Sequence, residues 1–297
     1  MPAIDQGSSH KLKLMYDNYI RMLFVASAAL MAVIIFAIIL FIGQQGLLTF
    51  KEVTPLEFFL SAKWDPTDGR YGALSFILGS ICTTFLAVLI GAPLGLAGAV
   101  FLAKIAPQSV RRFMRPATDL YVAVPSVVYG YIGLTVLIPF IRVHFDAGSG
   151  FGLLAASLIL AVMILPTVIT ISEDAIRSVP ANLEEASLAL GATRWQTVRR
   201  VLLPAAAPGI LTAIILAMAR AIGETMAVQM VIGNTPLLPK SLLTPTATLT
   251  SEIVVEMGNT PFGSTWGNSL FLMALVLLAI SLLMIVCIRH IGKRRFA

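Results

Sequence analysis

Two charged residues, Arg220 and Glu224, lie inside an otherwise apolar run, Ala205–Gly233. A charged side chain near the centre of a bilayer costs about 2.5–3.5 kcal/mol on insertion scales, so such residues mark pathways or fixed pairs. Four positions apart on a helix, the two share a face. Arginine offers a planar fork that matches phosphate-like oxygens and stays protonated at any relevant pH. Two readings stand. In one, Arg220 lines an anion pathway and Glu224 holds it while the path is empty. In the other, the two form a static pair that fixes packing. Thr225 and Gln229 add polar atoms nearby. Ser126 and Tyr129, next to Pro125 in another apolar run, are further candidates for lining a path.

Other chemistry is missing from the sequence. It has no G-x-x-x-x-G-K-[ST] phosphate loop and no H-E-x-x-H. Its three histidines, His10, His144 and His290, are scattered, and no nucleophile constellation stands out. No catalytic residue and no metal ligand is expected. A chain that moves a solute at the expense of ATP would have to borrow its ATPase.

The elements that position Arg220 are membrane spans. The chain has 297 residues, of which 58% are hydrophobic and 12% charged, with a net charge of +6. Soluble domains carry about 25% charged residues. A spanning helix needs about 20 apolar residues. Met22–Ile42, Ala73–Ala103, Leu120–Ile141, Phe151–Ser172 and Ser269–Ile288 meet that length without Asp, Glu, Lys or Arg, and Ala205–Gly233 is the sixth run. The fold expected is therefore an all-α membrane protein of six transmembrane helices. Pro125 and Pro166 interrupt helix hydrogen bonding inside spans. Gly91 and Gly95 form a small-residue packing motif. Cys82 and Cys287 fall inside apolar runs and read as packing residues.

Basic residues set the orientation. With both termini inside, the outer segments hold only Lys51, Lys63, Arg70, Arg142 and Lys240. The inner segments hold Lys104, Arg111, Arg112 and Arg115, then Arg177, Arg194, Arg199 and Arg200, with further clusters in both tails, as the positive-inside rule expects. Scattered between spans, these charges do not form a nucleic-acid patch. The organisation expected is an inner tail (1–21), a first span retained as an anchor (22–42), an outer segment (43–72), a core (73–288) with an inner loop at 173–204, and an inner tail (289–297). Asp119, at the inner end of the third run, is expected to partner nearby arginines.

That inner loop, from Ser172 to Pro204, reads as two short helices. Asn182 is placed to cap the first with Glu185 as its capping-box partner. Gly191 suits the helix end, where a left-handed turn is needed. Thr193 is placed to cap the second helix, which carries Trp195, Val198, Val201 and Leu202. A compact helix–Gly–helix with apolar tips suits insertion into a groove on a soluble partner. An interfacial amphipathic loop is the other reading.

The spacing within the loop resembles the EAA signature of ABC importer permeases: Glu185-Ala186-Ser187, three residues, Gly191, nine residues, then Val201-Leu202-Leu203-Pro204. Ser187 and Val201 depart from the signature's second Ala and its Ile. Further segments are similar to PstC, the permease-subunit family of the bacterial phosphate-specific ABC transporter. They are Trp64-Asp65-Pro66 with Tyr71-Gly72-Ala73-Leu74, Val124 to Gly130, Ala219 to Val228, and Ile232 to Thr235. The resemblance implies the type I ABC importer permease fold in a bacterial cytoplasmic membrane, importing inorganic phosphate by alternating access. It implies a PstA-like partner permease, two copies of an ATP-binding subunit that hold ATP and Mg, and a phosphate-binding protein on the outer side. Glu185, Ala186 and Gly191 would then be the residues that couple to the ATPase. A permease for another oxyanion or small solute is the alternative.

Overall fold

A computed structural model describes the backbone of residues 6–296 and the side chains of residues 16–290. Among the described residues, six helices are long and apolar enough to span a membrane. The tail side chains at positions 1–15 and 291–297, including Lys11, Lys13, Lys293, Arg294 and Arg295, lie outside the described set.

The first span is one continuous helix, α1 (Gln6–Leu47), much longer than its apolar run. It packs mainly along α13 (Thr265–Phe296), and its apolar side chains from Met22 to Phe41 are largely exposed. That exposure is what a lipid-facing helix requires. After a 3-10 turn at Leu48–Lys51 come α2 (Pro55–Leu60) and a two-stranded hairpin, β1 (Trp64–Asp65) paired with β2 (Arg70–Tyr71). Asp65 Oδ1 accepts from the Thr67 and Asp68 amides, and Gly69 takes the left-handed conformation that closes the turn. The Thr67 hydroxyl donates to Asp65 as well and, with those amides, holds its carboxyl below the usual range.

The centre of the bundle is α3 (Leu74–Val100) against α7 (Leu153–Arg177). Gly91 and Gly95 make this approach possible. A Cβ at Gly91 would lie 2.8 Å from Ile164, and one at Gly95 would lie 2.7 Å from Val168. Pro166 does not interrupt α7, which runs unbroken past it and ends at Arg177 rather than at Ser172. Ser178 takes the α7 cap, and Val179 precedes Pro180, which disfavours helical backbone at the residue before it.

The third apolar run is not one helix. Amphipathic α4 (Gln108–Ala123) stops at Val124–Pro125, and the span proper is α5 (Ser126–Ile132), a π-turn (Gly133–Leu137) and α6 (Ile138–His144). Leu120 therefore belongs to α4. Beyond α7 lie α8 (Ala181–Ala189), α9 (Arg194–Thr197), a π-turn (Val198–Leu202) and α10 (Leu203–Gly223). The fifth span ends at Gly223, ten residues before the end of its apolar run, because Glu224 is extended, with φ −71° and ψ 123°. A single turn, α11 (Met226–Gln229), follows the break, and α12 (Leu249–Met257) leads into α13. The segment 234–268, a long connection in the sequence, folds back in part. Thr246 to Glu252 are all buried, and the Leu249 amide donates to Ser80 Oγ of α3 at 2.9 Å. The non-helical backbone of Thr246, Ala247 and Thr248 is thus surrounded by protein.

Candidate functional site

The break in the fifth span gathers most of the expected site residues. α11 packs on α5 so closely that a Cβ at Gly130 would lie 3.0 Å from Ala227 Cα and 2.7 Å from Met230 Sδ. Ser126 and Tyr129 on α5 thus sit beside the segment carrying Glu224, Thr225 and Gln229. Arg220 occupies the last turn of α10, half-buried, where a cation complements the negative end of the helix dipole.

Arg220 and Glu224 do not form the expected helical pair. The i,i+4 face ceases to exist once the helix stops at Gly223, and the ion pairs among the described residues do not include either residue. Glu224 turns the other way: its Oε1 accepts from the Ala227 amide at 3.4 Å, inside the first turn of α11. Its carbonyl accepts from Thr250 Oγ1 of α12 at 3.3 Å. Thr225 Oγ1 donates to the Gly223 carbonyl at 3.3 Å. The Gln229 carbonyl accepts from Asn234 Nδ2 at 2.8 Å, with Asn234 in a left-handed conformation. Arg220 is thus a cation held at the end of a half-helix and not neutralised by Glu224.

Tyr129 has a second duty. Its hydroxyl donates at 2.7 Å to the Tyr121 carbonyl. Pro125 has no amide to give that carbonyl its helical bond; the Val124 amide reaches it at 3.3 Å, and the phenol supplies a second donor across the kink.

The inner loop has the expected helix–Gly–helix form. Gly191 has φ +81°. Its amide donates to Leu188 and the Ala192 amide to Ser187, the two bonds of a Schellman cap. Thr193 and Gln196 complete a reciprocal capping box. Asn182 does not cap α8. Pro180 holds that position, leaving Asn182 inside the first turn, and Glu185 has no box partner. Ser187 Oγ lies 2.9 Å from Thr197 Oγ1 and ties the two helices together. Lys104 pairs with Glu184 at 2.5 Å and fixes α8 to the end of α3. Glu185, Ala186, Leu183, Leu188, Leu190 and Trp195 remain exposed, so the knob presents an uncovered apolar tip beside one carboxylate.

Sequence reasoning missed the scaffold behind this knob. The π-turn Phe101–Ile105 ends α3, and Arg111 donates to the Leu102 and Ala103 carbonyls at 3.0 and 3.2 Å. Arg177 pairs with buried Glu173 at 2.6 Å, and Arg115 with Asp174 at 2.6 Å. Arg115 thus takes Asp174 rather than the expected Asp119. Glu173 and Arg177 at i,i+4 were a readable signal once α7 is allowed to run past Ser172.

A six-span bundle with an interrupted fifth helix and a rigid, partner-ready knob defines a membrane permease of the type I ABC importer fold. The chain belongs to the family described as binding-protein-dependent transport system inner membrane component, matched over residues 91–296. It is thus a multi-pass protein of the inner membrane. It is 51% identical over 279 residues to the probable ABC transporter permease protein YqgH of Bacillus subtilis, covering 93% of this chain and 90% of that one. It is 36% identical over 278 residues to the phosphate transport system permease protein PstC of Mesorhizobium japonicum, covering 87% and 84%. Among solved structures, a bacterial ABC transporter involved in alginate import shares the fold with a TM-score of 0.63 at 16% identity, over 94% of this chain and 98% of that one. The MetNI methionine ABC transporter, in inward-facing form, aligns with a TM-score of 0.53 at 26% identity, over 73% and 91%.

Proposed function

We propose that this permease translocates inorganic phosphate, with Arg220 as the cation that the anion meets at the break in the fifth span. The observation that carries the reading is the placement of Arg220, half-buried at the end of α10, with no carboxylate among its ion-pair partners in the described residues. Relatives whose printed names assign them to phosphate transport support the choice of anion. Thr225, Gln229 and Ser126 supply hydroxyl and amide groups around the break, Tyr129 holds the kink, and Glu224 gates by position rather than by neutralising Arg220.

In this reading the basic end of the bundle faces the cytoplasm. Glu185, Ala186 and Gly191 enter a cleft on an ATPase subunit. Two such subunits hold ATP and Mg, a PstA-like permease completes the pore, and a phosphate-binding protein delivers cargo to the opposite face. Alternating access follows when closure of the ATPase pair moves the knobs.

A second reading, import of another oxyanion or small solute, is favoured by one finding: the 51% identical Bacillus subtilis relative carries a name that specifies no substrate. Purifying the chain with its co-eluting partners, and measuring which anion with its binding protein stimulates ATP hydrolysis, separates the two. Stimulation by phosphate is expected. Stimulation by sulfate or molybdate alone overturns the phosphate reading.

A further inference from the structure

At the end of the bundle opposite the basic knob, α12 carries two carboxyls on one face, Glu252 and Glu256. Glu252 is 4% exposed and hydrogen-bonded to Glu256. Glu256 is gripped by two indoles. Trp64 Nε1 of the hairpin donates to its two oxygens at 3.0 and 3.1 Å, and Trp266 Nε1 of α13 donates at 2.7 Å. The Trp64 ring is itself locked edge-on against Tyr71 and Phe76. One carboxyl pair thus joins the hairpin, α12 and the start of the last span.

The surroundings offer no countercharge. α3 and α11, which pack on α12, contain no Asp, Glu, Lys or Arg between Leu74–Val100 and Met226–Gln229. α13 contributes Trp266 near this end. The hairpin contributes Tyr71, whose phenol feels Glu52 and Glu256, and the Asp65–Arg70 pair in its own register. The 3-10 turn leads into Glu52, whose carboxylate accepts from Thr265 Oγ1. The ion pairs among the described residues do not include Glu252 or Glu256.

Two adjacent carboxylates, Glu252 buried and Glu256 half-buried, cannot both ionise cheaply without a countercharge, so the pair retains one proton. The indole N–H groups stabilise charge on Glu256, which leaves the proton on Glu252 as donor to it. Burial, and then the neighbouring Glu256 carboxylate, push the Glu252 carboxyl up to about 8. The same helix touches the candidate gate: Thr250, two residues before Glu252, donates to the Glu224 carbonyl.

We propose that Glu252 and Glu256 form a proton-dependent clasp that holds the hairpin and the last span against α12, and through Thr250 holds the break at Glu224. When the shared proton leaves, a second charge appears beside the first in a site with no cation. The hydrogen bond between the carboxyls is lost, water enters, and α12 loosens. Transport therefore falls as the pH at that face rises. This last consequence rests on the permease reading above; the clasp itself does not.

The chain has three tryptophans, so Trp195→Phe leaves Trp64 and Trp266, both on Glu256, as the only indoles. In that full-length chain, purified in lipid nanodiscs, indole fluorescence is expected to titrate with a midpoint within roughly one unit of pH 8, and Glu252→Gln is expected to abolish the transition. A midpoint in the ordinary carboxylate range, or a transition that survives Glu252→Gln, overturns the clasp. Should Glu252→Gln not fold, infrared difference spectra of the wild-type chain serve instead. A protonated-carboxyl band present at neutral pH and lost on alkalinisation is expected, and its absence at neutral pH overturns the proposal. In cells carrying the whole transporter, phosphate uptake is expected to drop at least twofold across the same window and to be flat in Glu252→Gln. A fluorescence transition with no change in uptake overturns the link to Glu224. Failure of the phosphate reading leaves the fluorescence result unaffected.

Discussion

The Tyr129 hydroxyl donates at 2.7 Å to the carbonyl of Tyr121, eight residues earlier and on the far side of Pro125. The phenol adds a second donor where proline has no amide, and the two rings rest 5.1 Å apart between centroids. The kink between α4 and α5 is thus bridged by a side chain. Tyr129→Phe keeps the ring and removes the bond, leaving the Tyr121 carbonyl with the Val124 amide alone, at a cost of about 0.5–1.5 kcal/mol. The variant is expected to insert normally and to unfold at a lower temperature than the wild type, by thermal scanning in detergent. An unchanged midpoint would show that the bond contributes nothing to holding the kink.

The contact of α3 with α7 is graded by its glycines. A Cβ at Gly95 would come 2.7 Å from Val168 Cβ and Cγ1, close to the α7 backbone where little can give. A Cβ at Gly98 would meet only the outer atoms of Ile169, at 3.2 Å. Gly95→Ala is therefore expected to cost about 1–3 kcal/mol by overpacking, and Gly98→Ala less than half of that. Equal losses of folded protein in the two variants, or a larger loss for Gly98→Ala, would contradict the packing described here.

Arg220 and Glu224 are separated by the end of α10, and Glu224 is engaged with the Ala227 amide. Arg220→Gln and Glu224→Gln should then act independently on stability. The double variant is expected to equal the sum of the singles to within about 0.5 kcal/mol in thermal unfolding, as for residues that do not interact. For phosphate uptake, Arg220→Gln is expected to lower transport at least tenfold, and Arg220→Lys to restore part of it. A coupling energy well above that limit would restore the ion pair that the sequence spacing suggests.

That pair shows where the sequence was legible and where it was not. Hydropathy located all six spans, because a 20-residue apolar run has few other uses. The Gly191 turn and the Thr193 cap were readable because each rests on local backbone chemistry, a left-handed φ and a hydroxyl placed before a helix. The stop at Gly223 was not readable. Residues 226–233 carry one polar side chain, Gln229, and read as a continuation of the apolar run; what ends the helix is tertiary: α5 packed on α11, and Thr250 hydrogen-bonded to the Glu224 carbonyl. The buried return of residues 246–252 and the grip of Trp64 and Trp266 on Glu256 were hidden for the same reason. Trp64 and Glu256 are 192 positions apart, and no local period joins them. Asn182 failed as a cap because Pro180 had already taken the place.

The knob between α7 and α10 makes the last prediction. Gly191 has φ +81° and open space where a Cβ would project, so a substitution there meets a backbone penalty and no steric clash. For a residue such as Ala that penalty is about 1–2 kcal/mol; asparagine tolerates the left-handed region better. Gly191→Ala is expected to weaken the Schellman cap, tilt α8 against α9 and lower substrate-stimulated ATP hydrolysis by the co-purified ATPase several-fold. Gly191→Asn should retain most of it, and membrane insertion should be intact in both. Ser187→Ala removes the bond to Thr197 but not the cap, so its effect should be smaller than that of Gly191→Ala. If Ala and Asn at position 191 behaved alike, the left-handed turn would not be what orients Glu185 and Ala186. If Gly191→Pro, which cannot reach a positive φ, still supported normal stimulation, the knob would not be the point through which the ATPase acts.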